Sequence, residues 1–178
     1  MKATGIIRKI DDLGRIVIPK EIRRSMRIRE GDPLEIYTNR DGEVIFKKYS
    51  LLEGVEDFAA NLCDTLSRDL GCICAVADRD VIVAVAGGGR RELLERRLSP
   101  ELEKLMAARR LYRSGEGEAV PVLDSGEKYR VSAACPILTE GDVAGSVLLV
   151  TTGDTAADDT ACRLLQVLAA FLGKHMEG

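Results

Sequence analysis

The stretch MKATGIIRKIDDLGRIVIPKEIRR occupies residues 1–24 and contains most of the features that decide the fold of the first domain. Residues 4–10 and 15–18 are rich in β-branched side chains, so they predict two short strands. Between them, Asp-Asp-Leu-Gly at residues 11–14 predicts a tight turn, because Asp can accept hydrogen bonds from nearby backbone N–H groups and Gly tolerates a positive φ. The chain is therefore expected to begin with a β-hairpin.

The residues after this hairpin predict a short helix and then a second hairpin. Pro19 ends the second strand and suits the start of a helix over residues 20–27. Strands are predicted at residues 34–39 and 43–48, on either side of an Asp41-Gly42 turn. This ββαββ unit is too small to bury a large core, so we expect it to pair with a second copy by exchanging strands.

Charge is distributed unevenly along the 178 residues, whose total net charge is −3. Residues 1–50 carry a net charge of +4, because residues 1–29 carry +6 and residues 30–50 carry −2. Residues 51–178 carry −7. A basic first domain joined to an acidic second one indicates that a polyanion is contacted at one end only.

The sequence shows no membrane or secretion signal. No apolar run approaches the roughly 20 residues that span a bilayer, and no apolar segment follows Lys2 as in a signal peptide. We therefore expect a cytoplasmic protein, which a DNA partner would place at the nucleoid. The five cysteines are an odd number without extracellular context, so they are predicted to be reduced thiols.

Residues 51–178 predict a second domain of the α+β class, an α/β sandwich with an antiparallel sheet. Its boundary with the first domain, residues 1–50, is placed after Ser50. Apolar spacing predicts long helices at residues 51–70 and 155–176. Between them, strands are predicted at 72–77, 81–86, 119–123, 129–137 and 142–151, helices at 90–98 and 101–110, and a polar loop at 113–118.

Basic residues of the first domain are the candidate DNA-binding site. Arginine presents a planar fork of five donors that suits phosphates and the O6/N7 edge of guanine. The helix is too short to fill a major groove, so readout is expected to be shared and tolerant of varied sites. A solvated basic face without a partner is the alternative interpretation. The candidates are Arg8, Arg15, Arg23, Arg24 and Lys9, with Lys20, Arg27 and Arg29 as auxiliary phosphate contacts; Lys47 and Lys48 are expected near the linker.

Other residue types offer weaker candidates for chemistry. Asp11, Asp12 and Gly14 are expected to shape the turn that presents Arg15, and a carboxylate that orients this arginine is left open. Gly87-Gly88-Gly89 before two arginines could form an anion nest, although the ending typical of a P-loop is absent.

Catalysis and metal binding are not expected from this sequence. Cys72 and Cys74 are predicted on one face of a strand as small core residues, with a redox switch as the alternative. His175 is the only histidine, so no metal site and no nucleophile–base arrangement is indicated. The chain is therefore interpreted as a non-enzyme without a cofactor.

The motifs of residues 1–50 resemble the AbrB-type swapped-hairpin DNA-binding domain of bacterial transition-state regulators. The resemblance runs through Asp12-Leu13-Gly14-Arg15, Val17-Ile18-Pro19, Glu21-Ile22-Arg23-Arg24 and Gly31-Asp32. Residues 51–178 resemble a GAF-type domain in element order. The two together are similar to a family of forespore transcription factors from endospore-forming bacteria.

This resemblance implies an oligomer and a set of DNA contacts. It implies a dimeric N-terminal barrel, and a tetramer joined through the terminal helices of the GAF-type halves. The DNA-contacting arginines of the AbrB-type family correspond to Arg8, Arg15, Arg23 and Arg24 in this sequence. It leaves open whether the GAF-type domain binds a small molecule. A local departure is the arginine-rich second domain, with pairs at residues 90–91, 96–97 and 109–110.

We therefore predict a homo-oligomeric transcription factor that binds double-stranded DNA and regulates sporulation genes. One alternative is an antitoxin, although antitoxins usually end in a disordered tail and this chain is expected to end in a folded domain. Another is a metabolite sensor whose first domain only dimerises.

Overall fold

The computed structural model describes residues 4–50, 52, 54–115 and 119–177. The chain divides into two compact units, Met1–Tyr49 and Ser50–Gly178. Within the described ranges, no helix is both long enough and apolar enough to cross a bilayer.

The first unit contains one helix and one hairpin. Helix α1 spans Lys20–Ser25, and strands β1 and β2 span Leu34–Thr38 and Val44–Lys48. The two strands pair antiparallel, and the N–H of Asn39 donates to the carbonyl of Glu43 at 3.2 Å to close the loop. The predicted second hairpin is confirmed, with each strand one residue shorter than expected.

The two strands predicted at residues 4–10 and 15–18 are wrong for the single chain. Neither segment joins a β-ladder in the described part of the first unit. The turn between them does close, because the N–H of Asp11 donates to the carbonyl of Arg15 at 3.1 Å. A strand needs hydrogen-bonding groups on a neighbour. The β-branched residues indicate a preference for the extended conformation of a strand, but they do not provide the neighbouring strand with which to pair.

The first unit has almost no core of its own. Every described residue from 4 to 49 is exposed or only half-buried. Apolar side chains that would normally lie in a core are open to solvent, and the largest exposed fraction is 87% at Ile7. Those more than half exposed are Ile7, Ile10, Leu13, Val17, Met26, Ile36 and Val44.

The second unit is built on a six-stranded antiparallel sheet. The order along the sheet is β4-β3-β8-β7-β5, and β6 pairs with β7. The strands are β3 (Ile73–Ala77), β4 (Ile82–Ala86), β5 (Tyr112–Arg113), β6 (Pro121–Leu123), β7 (Gly126–Thr139) and β8 (Asp142–Thr151). The helices are α2 (Glu56–Leu70), α3 (Arg90–Leu93), α4 (Pro100–Ala107) and α5 (Asp159–Met176).

Helices cover both faces of this sheet and form a core on each. Side chains of the central strand β8 alternate between these two cores. Val147 and Leu149 pack in the core shared with α2 and α5. Leu148 and Val150 pack in the other core, together with Leu102 of α4. The predicted α+β sandwich with an antiparallel sheet is confirmed.

Element boundaries follow local signals where those exist. The Ser99 hydroxyl accepts from the N–H of Leu102 at 3.0 Å and Pro100 opens α4, as predicted. Gly71 is the C-cap of α2. The last helix begins at residue 159, four residues later than predicted, because the Asp158 carboxylate caps it by accepting from the N–H of Ala161.

Three further predictions on this unit differ from the structure. The helix predicted at 90–98 ends at Leu93, because residues 95–96 hydrogen-bond to Ile82 at the edge of the sheet. The helix predicted at 101–110 ends at residue 107. The helix predicted from residue 51 begins at residue 56, and residue 51 lies outside the described part. Residues 116–118 of the predicted polar loop also lie outside it.

Candidate nucleic-acid interface

The turn before Arg15 is organised by Asp11. One carboxylate oxygen of Asp11 accepts from the N–H groups of Leu13 at 3.0 Å and Arg15 at 2.7 Å. The N–H of Gly14 donates to the Asp11 carbonyl at 3.0 Å, and Gly14 adopts φ 75°, a region that favours glycine. The roles predicted for Asp11 and Gly14 in shaping this turn are therefore confirmed.

The same carboxylate also holds the side chain of Arg15. Its second oxygen accepts from Arg15 Nε at 2.8 Å, although the Arg15 side chain remains 69% exposed. The N–H of Arg15 and then its guanidinium hold the pKa of Asp11 below its ordinary value. The contact restricts how an exposed arginine is presented, which is the orienting role that the sequence left open.

Arg23 and Arg24 lie in the last turn of α1, and both are exposed. The helix ends in a Schellman arrangement, since the N–H of Ile28 donates to the Arg23 carbonyl at 2.8 Å. Positive side chains at a helix C-terminus also complement the helix dipole. The two arginines therefore have a structural role besides any contact with a ligand.

Arg8 and Lys9 are exposed residues of the segment before the turn. The Arg8 guanidinium donates to the carbonyl of the neighbouring Ile7 at 3.5 Å. All five predicted site residues thus lie in the first unit with exposed side chains. The structure places Arg15 against Asp11, while Arg8 and Lys9 precede the closed turn and Arg23 and Arg24 end the helix.

Lys48 has a role that the sequence reasoning missed. Its ammonium group lies 3.3 Å from the carboxylate of Asp32 and donates to the carbonyl of Arg27 at 3.1 Å. The Asp32 side chain is only 1% exposed and also accepts from the N–H of Arg29. Lys48 therefore joins the end of β2 to the loop after α1. Lys48 and Asp32 are sixteen positions apart in the sequence, so no local sequence pattern indicates that they form an ion pair.

The Gly87-Gly88-Gly89 segment has a packing explanation. A Cβ atom on Gly87 would overlap the Ser67 hydroxyl and the carbonyl of Cys72, and one on Gly89 would lie 2.7 Å from the Tyr129 hydroxyl. The helix that follows has only four residues. The segment is therefore accounted for by close approach to its neighbours rather than by anion binding.

The cysteines behave as core residues. Cys63, Cys74 and Cys162 are buried, Cys72 and Cys135 are half-buried, and all five are free. A hydrogen bond with Cys63, followed by burial, raises the pKa of Cys74, and burial raises the pKa of Cys135 to about 11. Protonated thiols are poor nucleophiles and poor metal ligands. Within the described residues, no group of acidic, histidine and cysteine side chains could hold a metal ion.

A cavity of about 440 Å³ lies where the end of α2 and the start of α5 meet the sheet. Its polar lining includes Ser132, Thr151, Thr155 and Asp158. The Ser132 hydroxyl donates to the Thr155 carbonyl at 2.8 Å, and Asp158 caps α5. These groups are largely occupied by the fold, and the remaining lining is mostly apolar.

The terminal helices present an apolar stripe to solvent. Val167 and Phe171 on α5 are 64% and 50% exposed, although they lie one turn apart on one side of the helix. Phe58 of α2 lies beside this stripe, with its ring centroid 5.7 Å from Phe171 and 4.7 Å from His175. The apolar face of α5 is thus only partly covered within one chain.

Models of known protein families match both halves of the chain. A family model described as stage V sporulation protein T C-terminal, transcription factor, matches residues 54–177. A second, described as antidote-toxin recognition MazE, bacterial antitoxin, matches residues 7–51.

Relatives and solved structures agree with these matches. Stage V sporulation protein T of Bacillus subtilis (strain 168) is 42% identical over 99% of both chains. The transition state regulatory protein AbrB of the same organism is 59% identical over 49 residues, which are 28% of this chain and 50% of AbrB. The GAF domain/HD domain protein of Geobacter sulfurreducens superposes with a TM-score of 0.50 and 20% identity over 72% of this chain and 99% of that chain, which shows the fold alone.

The chain joins an AbrB-type module to a domain of the GAF fold that matches a transcription-factor family, so both resemblances drawn from the sequence are confirmed. The chain belongs to the stage V sporulation protein T family.

Proposed function

We propose that this chain regulates sporulation genes by binding double-stranded DNA as a homo-oligomer. Residues 1–50 would bind DNA through Arg8, Lys9, Arg15, Arg23 and Arg24. Residues 51–178 would join the DNA-binding units and could receive a small-molecule ligand. The role of the whole chain is regulatory rather than enzymatic, and we expect the protein to act in the cytoplasm at the nucleoid.

One observation carries the proposal: the first unit leaves both its apolar and its basic side chains in solvent. Burying apolar surface is the main source of folding free energy, and a unit without buried residues has little of it. A second copy that pairs with residues 4–10 and 15–18 would supply both the missing ladder and the missing core. The basic side chains would then remain outside on the dimer.

The chemistry of the exposed set suits a nucleic-acid backbone. Arginine forks bind phosphate oxygens in bidentate geometry, and contacts of this kind position a protein without reading bases. Helix α1 has only six residues, so it is too short to act as a recognition helix. Shared contacts from the turn at residues 11–15 and from the end of α1 favour recognition of groove shape and tolerance of varied sites.

The second domain is proposed to link two such dimers. The solvent-exposed stripe on α5 and its neighbour Phe58 form a surface that a second GAF-type domain could cover, giving a tetramer. The cavity at the start of α5 is the candidate site for a small molecule. A ligand there would lie beside the same helices that form the proposed contact.

An antitoxin is the second candidate function, because the antitoxin family model matches residues 7–51. The folded domain that occupies residues 54–177 disfavours it, since it belongs to a transcription-factor family. Binding of duplex DNA by the full chain separates the main proposal from a metabolite sensor whose first domain only dimerises.

The test is a titration of the full chain against duplex DNA at several salt concentrations. We expect binding that weakens as salt rises, because phosphate contacts release counterions. Arg15→Ala should lower affinity by about tenfold or more, from the loss of roughly 1–3 kcal/mol per contact. The matched control is Arg40→Ala, an exposed arginine in the β1–β2 loop outside the proposed set. Equal losses of DNA affinity in the two variants would show that Arg15 is not part of the interface.

A further inference from the structure

Four arginines of the second domain, clustered in sequence within residues 90–97, have no carboxylate partner in the described part of the chain. Arg90 and Arg91 open α3, and Arg96 and Arg97 follow it, and all four are exposed. No ion pair joins any of them to a carboxylate within the described residues. Four of the other arginines of the same domain do have such partners: Arg68 with Asp64, Arg109 with Asp142, Arg113 with Asp159 and Arg130 with Asp154.

The overall charge of the domain makes this cluster unusual. Residues 51–178 carry a net charge of −7, so carboxylates are in excess. One of the two glutamates inside the cluster, Glu92, is paired with Lys128, whose ammonium group lies 2.6 and 2.8 Å from its carboxylate oxygens. The Tyr129 hydroxyl also donates to Glu92 at 3.1 Å. The negative charge of Glu92 is therefore compensated by Lys128, which leaves Glu95 as the other acidic residue of the segment.

The backbone beneath these arginines is well anchored. Leu93, inside the segment, and Leu98, directly after it, are fully buried. The N–H of Ile82 donates to the Arg96 carbonyl at 3.1 Å, and the N–H of Glu95 donates to the Ile82 carbonyl at 2.8 Å. The segment thus runs along the edge of β4, and the arginines are presented from an ordered frame, which lowers the entropy lost when they bind.

From these observations we infer that Arg90, Arg91, Arg96 and Arg97 form a second contact with the phosphate backbone of double-stranded DNA. The inference rests on the proposed function, because the DNA must first be held by residues 1–50. Arginine is the side chain best suited to phosphate, and a duplex offers one negative charge per about 1.7 Å of its axis. Such a contact adds affinity without reading sequence, and it localises positive charge on a domain that is acidic overall.

The experiment measures how DNA affinity of the full chain depends on salt. Two double variants, R90Q/R91Q and R96Q/R97Q, are compared with the control R109Q/R110Q, which removes the same charge from the same domain. Each phosphate contact contributes about 0.9 to the slope of log affinity against log salt concentration. We expect each test variant to have a slope smaller by about 1–2 and an affinity about tenfold lower at low salt, while the control keeps the wild-type slope.

The outcomes separate this inference from the function on which it rests. Circular dichroism and sedimentation establish first that the variants keep the fold and oligomeric state. Wild-type slopes in both test variants would overturn the inference, and an acidic protein would then be the better partner for the cluster. An equal reduction in the control would also overturn it, because net charge alone would then explain the effect. A wild-type chain that does not bind duplex DNA would instead refute the proposed function.

Discussion

Asp11 is an acidic residue within a basic surface, and its contacts explain why it is there. Its carboxylate accepts from two backbone N–H groups of the turn and from the guanidinium of Arg15. Near DNA, a carboxylate is repelled by phosphate, so simple electrostatics would favour its removal. The geometry indicates instead that Asp11 supports DNA binding, because its carboxylate holds Arg15, which we propose binds the phosphate.

We predict that Asp11→Ala weakens DNA binding by about tenfold, through loss of the ordered turn and of the oriented Arg15. Asp12→Ala is the matched control, since it removes the same charge from the adjacent exposed position. It should leave affinity unchanged or raise it slightly, as a repulsive charge is lost. Fluorescence anisotropy with a labelled duplex measures both, and equal effects would show that only charge matters at this turn.

The pKa of Asp11 gives a prediction on pH dependence. The N–H and guanidinium of Arg15 hold this pKa below its ordinary value of 3.8. A carboxyl with a lowered pKa in the folded state stabilises that state above the unfolded pKa, and this contribution is lost as the pH falls through the folded pKa. We expect the melting temperature of Asp11→Asn to lie below that of the wild type at neutral pH. The difference should vanish well below pH 3.8, and a constant difference would contradict the assignment.

At the scale of elements, the sequence is informative wherever the signal is local. Ser99-Pro100 predicts the start of α4 because the cap and the first helical position are adjacent. The end of α3 was not predictable, because it depends on hydrogen bonds to Ile82, which lies more than ten residues earlier in the chain. The segments at residues 4–10 and 15–18 show the strand pattern but have no partner strand within one chain. The Lys48–Asp32 pair was missed for a related reason, since its partners meet only after folding.

Helix α5 carries the proposed contact between dimers, and one substitution tests it. Phe171 lies on the exposed apolar stripe, half exposed and beside Phe58. We predict that Phe171→Glu converts the tetramer into a dimer, because a charge at a covered apolar site is strongly unfavourable. Gln166→Glu places the same charge on the opposite flank of the helix and should leave the tetramer intact. Sedimentation equilibrium distinguishes these states, and a tetrameric Phe171→Glu variant would place the contact elsewhere.

At the scale of the whole molecule, a basic unit without a core is joined to an acidic unit with two cores. This division suggests that the net charge of the second domain does not attract DNA, and that the domain contributes by linking DNA-binding units in addition to any local contact of its arginines. Linking two DNA-binding dimers makes the second binding step intramolecular, which raises its effective concentration and the overall affinity without a new contact. The gain should appear only on DNA that offers two sites.

We therefore predict that Phe171→Glu loses much more affinity on a long duplex with two sites than on a short duplex with one. The expected loss is about a hundredfold on the long duplex and less than about threefold on the short one, because only the former can engage two linked dimers. The variant keeps every proposed phosphate contact, including those of the second domain, whereas truncation at residue 50 would remove some of them. Both duplexes must be compared at one salt concentration, since phosphate contacts make absolute affinities salt-dependent. Equal losses on the two duplexes would contradict the linking role of the second domain.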